Sequence, residues 1–228
     1  MLFAIDIDNT IAGGPDAYKL YIEHHNNDLG LDLSPQLLDT LTSYQSFLKL
    51  PQVRAYRREH EARFQASRDS CRTSSSVILS LDMLPDAVTG VQYLSRFGQV
   101  RYYTIRVNQE ATKQWLTIHQ FPDPRNVVFC DSALHKLMSI YQLEIRKHEH
   151  IALIDDKPSA LIQAFEKLMI THPHVARNIR QHVDLIAFGS DDVKGQDSDL
   201  RVFALPSWFD VNNLVDELNS TIGDVRRV

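Results

Sequence analysis

Short runs of consecutive apolar residues alternate along the chain with longer segments in which apolar residues recur every three or four positions. The short runs predict buried strands and the longer segments predict amphipathic helices, a combination typical of a parallel sheet covered by helices. The predicted strands are residues 2–7, 100–104, 126–130, 151–154 and 183–188, with a weaker sixth at 202–205. We therefore expect an α/β fold, a Rossmann-like parallel sheet with helices on both faces.

Residues 15–84 interrupt this alternation, because no strand pattern is found there before a short apolar run at 77–81. The segment predicts three helices, which begin at Asp16, at Ser34-Pro35 and near residue 53, followed by a flexible serine-rich return at 73–76. We expect residues 1–14 and 85–228 to form the core domain, and residues 15–84 to form a helical cap inserted after the first strand. A last helix is expected to begin near Ser207 or Asp210.

The composition is that of an ordinary globular protein. The chain has 228 residues, of which 43% are apolar, and a net charge of -5. No segment has the roughly 18 consecutive apolar residues of a membrane helix, and the N-terminus lacks the basic region of a secretory signal. Two cysteines, Cys71 and Cys130, cannot form a disulfide scaffold. We expect a cytoplasmic protein without broad nucleic-acid binding, although the net charge does not exclude a local basic patch. The sequence indicates no oligomeric state.

The most informative motif is Asp6-Ile7-Asp8-Asn9-Thr10, which directly follows the apolar run of the first predicted strand. In extended backbone Asp6 and Asp8 lie on the same side, and ligands of open α/β sheets bind beyond the carboxyl ends of the strands. Two carboxylates there repel each other unless a cation lies between them. A carboxylate nucleophile with a metal ion and a proton-transferring acid fits this pattern. A simple strand-end turn is the alternative.

A second acidic pair, Asp155-Asp156, ends the strand predicted at 151–154. If that strand lies beside the first, Asp155 is able to share a divalent ion with Asp6. Ligands that are all oxygens favour Mg²⁺, which keeps several waters and accepts phosphate oxygens. The alternative is again a turn, here before a helix that begins near Ser159.

Three residues between the acidic pairs are candidates for holding a phosphoryl group. Thr104 ends the second predicted strand with a hydroxyl, and Arg106 follows it with a guanidinium. Lys136 lies at the start of a predicted helix, off its apolar stripe. A hydroxyl donor and a lysine suit the equatorial oxygens of a transferring phosphoryl group. Each residue taken alone is also compatible with an exposed position.

The order of these residues resembles the four motifs of the haloacid dehalogenase-like (HAD) hydrolase superfamily: Asp6 and Asp8 with Thr10, then Thr104, then Lys136, then Asp155-Asp156. The resemblance covers residues 1–14 and about 85–190, whereas 15–84 matches only in position and helical character. The short interval between Thr104 and Lys136 leaves no room for a second lid. Residues 104–116 also resemble family members that act on nucleotides and nucleic-acid ends.

The resemblance implies a catalytic role for four residues. Asp6 attacks phosphorus to form an aspartyl-phosphate, and Asp8 protonates the leaving oxygen and then deprotonates the attacking water. Thr104 and Lys136 hold the phosphoryl oxygens, with Arg106 as a further substrate-binding candidate. An acid at Asp8 is typical of the members that cleave phosphate esters.

The resemblance also implies a Mg²⁺ cofactor. Its ligands are Asp6, the backbone carbonyl of Asp8 and Asp155, and Asp156 binds through water or supports the other ligands. The expected function is Mg²⁺-dependent hydrolysis of a small phosphomonoester, with a nucleotide favoured. The alternatives are a phosphatase for a nucleic-acid end or another phosphorylated polymer, and a non-catalytic binding or scaffold protein. Motif order and chain length argue against a signalling receiver domain.

Several other features carry weaker predictions. The third cap helix is rich in arginines that either attract an anionic substrate or form a solvated face, the latter being favoured. These are Arg54, Arg57, Arg58, Arg63, Arg68 and Arg72. The histidines, including His24-His25, are expected on the surface. Asp191-Asp192 is expected in a loop, with a substrate contact as the alternative.

Overall fold

The computed structural model describes residues 1–13, 17–189 and 199–225. Its strands are β1 (Leu2–Ile5), β2 (Ala12–Gly13), β3 (Asp82–Met83), β4 (Gln99–Thr104), β5 (Val127–Phe129), β6 (Ile151–Asp155), β7 (Val183–Phe188) and β8 (Arg201–Leu205). Its helices are α1 (Ala17–Leu29), α2 (Pro35–Asp39), α3 (Tyr44–Leu48), α4 (Pro51–Glu59), α5 (Glu61–Thr73), α6 (Ser75–Leu79), α7 (Ala87–Leu94), α8 (Gln109–Ile118), α9 (Ala133–Leu143), α10 (Pro158–Thr171), α11 (Pro173–His182) and α12 (Val211–Val225), with a 3₁₀ turn at Trp208–Asp210.

The chain divides into two compact units. The first unit comprises Met1–Ala12, Met83–Ile105 and Leu116–Val228, and the second comprises Gly13–Asp82 and Arg106–Trp115. The boundaries of the predicted cap, residues 15–84, stay a prediction. The second unit also includes the segment Arg106–Trp115, which was not predicted to belong to the cap.

A six-stranded sheet forms the centre of the first unit, in the order β5-β4-β1-β6-β7-β8. Every neighbouring pair in this sheet is parallel. The strands β1 and β6 are completely buried, as expected for a parallel sheet covered on both faces. Because β1 lies between β4 and β6, the carboxyl ends of these three strands meet at one edge of the sheet.

Helices cover both faces of this sheet. The helices α9, α10 and α11 contact one another, and their apolar residues pack with Leu2, Leu153 and Leu185 from alternate positions of the strands. The helix α12 contacts α7 and β8. This arrangement confirms the predicted Rossmann-like α/β fold. The helices α7 and α11 were not predicted from the sequence.

The second unit contains α1 to α6 and has an apolar core of its own, built around Ile22, Phe47, Val53 and Phe64. The structure has more and shorter helices here than the sequence predicts. The helix expected to run from Ser34-Pro35 towards Pro51 is divided into α2 and α3, because Ser43 and Ser46 form a capping box that starts a new helix.

Two further predictions for this region are wrong. The apolar run at 77–81 is not a strand, since residues 75–79 form α6. The flexible return predicted at 73–76 is not found either, because Ser74 alone separates α5 from α6 and its side chain accepts a hydrogen bond from the N–H of Val77. Asp16 and Asp191-Asp192 lie outside the described residues. Among the helices that the structure describes, none is long and apolar enough to cross a membrane.

Candidate active site

The site begins where β1 ends. Asp6 follows β1, and its N–H donates to the carbonyl of Ile154 at 2.9 Å, so the pairing with β6 continues up to this residue. The Asp6 side chain is buried, with only 7% of the residue exposed. A carboxyl group is therefore held out of water at the carboxyl edge of the sheet, which is costly unless it is paired.

A tight turn follows from Ile7 to Ala12 and carries Asp8. The carbonyl of Ile7 accepts hydrogen bonds from the N–H groups of Ile11 and Ala12, at 3.0 and 2.9 Å. Asn9 has a φ of 57°, a left-handed conformation that asparagine tolerates better than most residues. Asp8 is half-buried, near enough to Asp6 for its charge to raise the pKa of that carboxyl.

Lys136 lies at the centre of the charged cluster. It is in the first turns of α9, a helix capped by Ser132, whose hydroxyl accepts the N–H of His135 at 3.1 Å. The Lys136 Nζ donates to Asp6 Oδ1 at 2.7 Å and to Asp155 Oδ2 at 2.6 Å. Lys136 is 2% exposed. One ammonium group thus connects the ends of β1 and β6.

The second acidic pair closes the cluster. Asp155 is the last residue of β6, is buried, and also accepts the N–H of Lys157 on Oδ1 at 2.8 Å. Asp156 is half-buried and accepts a hydrogen bond from the Asn9 side chain. One carboxylate oxygen each of Asp6, Asp155 and Asp156 lie within 4.8 Å of one another. Three carboxylates at this spacing form an all-oxygen donor set that suits Mg²⁺.

Burial dominates the electrostatics of the cluster. It raises the pKa of Asp6 to about 7, a shift that Lys136 opposes and that the charges of Asp155 and Asp8 reinforce. Burial alone lowers the pKa of Lys136, but the carboxylates of Asp6 and Asp155 outweigh it and raise that pKa, so the ammonium stays charged. Burial likewise raises the pKa of Asp156, against the charge of Lys157. The three clustered carboxyl groups of Asp6, Asp155 and Asp156 thus face one ammonium group, and a second cation would balance their excess of negative charge.

The structure distributes the remaining site candidates over both units. Thr104 is the last residue of β4, the strand beside β1, and is fully buried in the first unit, where its carbonyl accepts the N–H of Cys130 at 2.8 Å. Arg106 belongs to the second unit. It is buried, and its guanidinium carbon lies 5.6 Å from the centroid of the Trp115 ring.

One weaker prediction is wrong, and one site residue was missed. His25 is not on the surface but 2% exposed in the core of the second unit. The sequence contained a signal for this, because His25 shares a helical stripe with Ile22 and Leu29. Asn9 was predicted only as part of a strand-end turn, and its hydrogen bond to Asp156 was not predicted. The six cap arginines are exposed, and Arg57 pairs with Glu61 at 2.9 Å.

Comparisons with solved structures identify the fold, whereas comparisons of the sequence find no match. No protein-family model matches this sequence, and no curated protein is significantly similar to it. Solved structures do match. The protein YfnB from Bacillus subtilis, named as a HAD-hydrolase and bound to magnesium, has a TM-score of 0.58 and 9% identity over 93% of this chain and 97% of its own.

Two other matches have the same character. A HAD family hydrolase from Deinococcus radiodurans, with bound phosphate and sodium, gives a TM-score of 0.51 and 11% identity over 95% of this chain and 94% of its own. A predicted phosphatase from Clostridium acetobutylicum gives 0.53 and 11% over 98% of both chains. At sequence identities this low, the structural matches establish a shared fold and no more. This chain therefore has the fold of the HAD-superfamily hydrolases, as its motif order predicts.

Proposed function

We propose that this protein is a Mg²⁺-dependent phosphatase that hydrolyses a small phosphomonoester through an aspartyl-phosphate on Asp6. The observation that carries the proposal is the buried ammonium of Lys136 between the carboxylates of Asp6 and Asp155, at 2.7 and 2.6 Å, at the carboxyl edge of a parallel sheet. Phosphoryl transfer needs a nucleophile and fixed positive charge in one place, and this cluster supplies both.

The chemistry assigned to the chain's own residues balances in two steps. In the first, an Asp6 carboxylate oxygen attacks phosphorus, the bond from phosphorus to the leaving oxygen breaks, and Asp8 gives that oxygen a proton. In the second, Asp8 takes a proton from water, which attacks phosphorus and releases Asp6 and inorganic phosphate. Thr104 and Lys136 donate hydrogen bonds to the phosphoryl oxygens in both steps.

Mg²⁺ would be held by Asp6, Asp155, Asp156 and the backbone carbonyl of Asp8. Support comes from the 4.8 Å grouping of three carboxylates and from their excess of negative charge, and a HAD-hydrolase of the same fold is solved with magnesium. A bound Mg²⁺ polarises a phosphoryl oxygen and neutralises charge that develops on it. Asp155 is buried beside Lys136, whereas Asp156 is half-buried beside Asn9, so Asp155 is the direct ligand in this proposal.

The first test is a panel of phosphate esters that includes nucleotides, sugar phosphates, a small aryl phosphate and a 5′-phosphorylated oligonucleotide, each with Mg²⁺ or with EDTA. We expect turnover in the presence of Mg²⁺ and none in the presence of EDTA. Asp6→Asn should lower turnover by at least about 1,000-fold while the protein stays folded, because an amide is a poor nucleophile. The matched control is Asp216→Asn, a change at an exposed position of α12.

If wild-type protein releases no phosphate from any ester in the panel, the scaffold alternative replaces this proposal. Near-normal activity of Asp6→Asn in excess Mg²⁺ would remove Asp6 from the mechanism. Preference for the oligonucleotide over every small ester would favour a phosphatase for nucleic-acid ends.

For the substrate we propose a nucleotide or a similar small anionic ester, supported by the buried guanidinium of Arg106 and the exposed arginines of α4. The combined variant Arg54→Gln, Arg57→Gln and Arg58→Gln should raise KM for the preferred substrate severalfold and leave a small aryl phosphate almost unaffected. The control is Arg125→Gln, Arg146→Gln and Arg177→Gln, which changes the net charge equally at exposed positions of the first unit. Equal KM values in both variants would mean that α4 presents a solvated face.

A further inference from the structure

The turn that carries Asp8 is fixed by a side chain from the far end of the chain. The indole Nε1 of Trp208 donates to the carbonyl of Thr10 at 2.6 Å. Thr10 is itself fully buried and lies two residues after Asp8. Because a buried carbonyl without a donor is costly, this hydrogen bond strongly restricts the position of the turn.

The indole that makes this bond has little freedom to move. Trp208 is 1% exposed, and its ring lies 5.4 Å from the ring of Phe188, centroid to centroid. On α7, Gly90 gives it space, because a Cβ at that position would come within 2.6 Å of Trp208 Cε3. A second contact holds the same turn, since the N–H of Leu84 donates to the carbonyl of Ile11 at 3.0 Å. The turn is thus held from outside at consecutive carbonyls.

We propose that Trp208 is a positioning residue, which holds the Thr10 carbonyl so that the Asp8 carboxyl can reach the leaving oxygen of the substrate. The inference rests on the proposed function, since it assigns Trp208 to the proton transfer of that reaction. A structural role alone would affect all substrates alike. A positioning role affects those substrates whose leaving group needs a proton.

Leaving groups therefore separate the two roles. An alkoxide requires protonation as the ester bond breaks, whereas a dinitrophenolate leaves without it. The ratio kcat/KM covers only the steps up to departure of the leaving group. We expect Trp208→Phe, which keeps a packed ring and removes the N–H, to lower kcat/KM for an alkyl phosphate about 10-fold, in line with a partial loss of general acid catalysis. For 2,4-dinitrophenyl phosphate we expect less than about a 2-fold loss.

The matched control is Tyr102→Phe. The Tyr102 hydroxyl is also buried and also donates to a backbone carbonyl, that of Pro122 at 2.7 Å. This variant loses one buried donor in the same unit, and its kcat/KM should stay within about 2-fold of wild type for both esters. Gly90→Ala gives a second, independent variant, because the added methyl displaces the indole while its N–H remains. It should reproduce the selective loss on the alkyl phosphate.

The outcomes separate this proposal from the proposed function. Two results with an active wild type would overturn the positioning role alone. One is a Trp208→Phe variant whose kcat/KM falls equally for both esters, and the other is a fall no larger than that of Tyr102→Phe. If Trp208→Phe does not fold, an unselective Gly90→Ala variant overturns it instead. If wild type with Mg²⁺ releases phosphate neither from these two esters nor from any ester of the panel above, the proposed function fails and this role fails with it.

Discussion

Lys136 is the residue whose removal should disturb the site most. Its ammonium is buried against two carboxylates that have also lost their hydration. A buried ion pair contributes little net stability over an apolar replacement of both partners, but removing one partner leaves a buried charge without compensation. The lysine is therefore required for the two acids to coexist at this edge of the sheet.

We predict that Lys136→Met lowers the free energy of unfolding in EDTA by about 3–5 kcal/mol, the usual cost of leaving a buried charge unpaired. Added Mg²⁺ should recover more stability in this variant than in wild type, because the cation replaces part of the missing positive charge. Chemical denaturation with and without Mg²⁺ measures both effects. Lys167→Met, at an exposed position of α10, is the control and should be neutral. Equal Mg²⁺ effects in both proteins would contradict the proposed metal site.

The two neighbouring acids should differ in their effect on the metal. Asp155→Ala is expected to weaken Mg²⁺ binding by more than Asp156→Ala, because Asp155 is buried in the cluster with Asp6 whereas Asp156 is half-buried. A titration of Mg²⁺ by calorimetry for both variants gives the comparison without relying on turnover. The reverse order would make Asp156 the principal ligand.

At the scale of elements, the helices of the second unit pack around an unusual residue for a core, His25 of α1. Its ring lies parallel to the rings of Phe47 on α3 and Phe64 on α5, at 6.0 and 5.5 Å. Its Nδ1 is 2.9 Å from Ser67 Oγ and its Nε2 is 2.9 Å from the Tyr44 hydroxyl. Both ring nitrogens are thus hydrogen-bonded inside an apolar cluster.

This packing makes the second unit sensitive to acid. Burial, helped by the charges of His24 and Arg68 and opposed by that of Asp28, lowers the pKa of His25 to about 4. An unfolded histidine titrates near 6.5, so the unfolded chain takes up a proton between about pH 6.5 and 4 that the folded chain does not. The resulting stability is complete above pH 6.5 and is lost as the pH falls towards 4.

We predict a loss of about 2–3 kcal/mol of stability across that range, in addition to other acid effects. Thermal unfolding of wild type and His25→Gln, followed from pH 7.5 to 4, should show a steeper fall for wild type. His174→Gln, at an exposed position of α11, should follow wild type. Parallel pH profiles for wild type and His25→Gln would mean that His25 does not titrate in this window.

Over the whole molecule, the sheet was predictable because its strands are continuous apolar runs. A strand that is buried on both faces of a sheet needs apolar residues at nearly every position. The acidic ends of β1 and β6 followed from the same reasoning, since parallel strands bring their carboxyl ends to one edge. The structure adds that Lys136 lies between Asp6 and Asp155, a contact between residues distant in sequence that no local pattern contains.

The features that could not be predicted depend on single side chains, which either begin a new helix or contact residues distant in the sequence. The division of the helix after Ser34 depends on the Ser43 capping box, which a run of leucines and polar residues does not reveal. The contact of Trp208 with Thr10 joins residues 198 positions apart. Its only local signals are an aromatic residue near a helix start and a glycine, Gly90, in the middle of a helix.

The central position of β1 has a consequence for synthesis on the ribosome. Leu2 pairs in register with Gln99 on one side and with Ile151 on the other. At about 5–20 residues per second, translation leaves this apolar strand without its second neighbour for roughly 7–30 s. Throughout that time the strand that will carry Asp6 has an unpaired edge, the kind of segment that chaperones protect from aggregation. The cluster around Lys136 therefore assembles only when β6 has emerged, after more than half of the chain has been made.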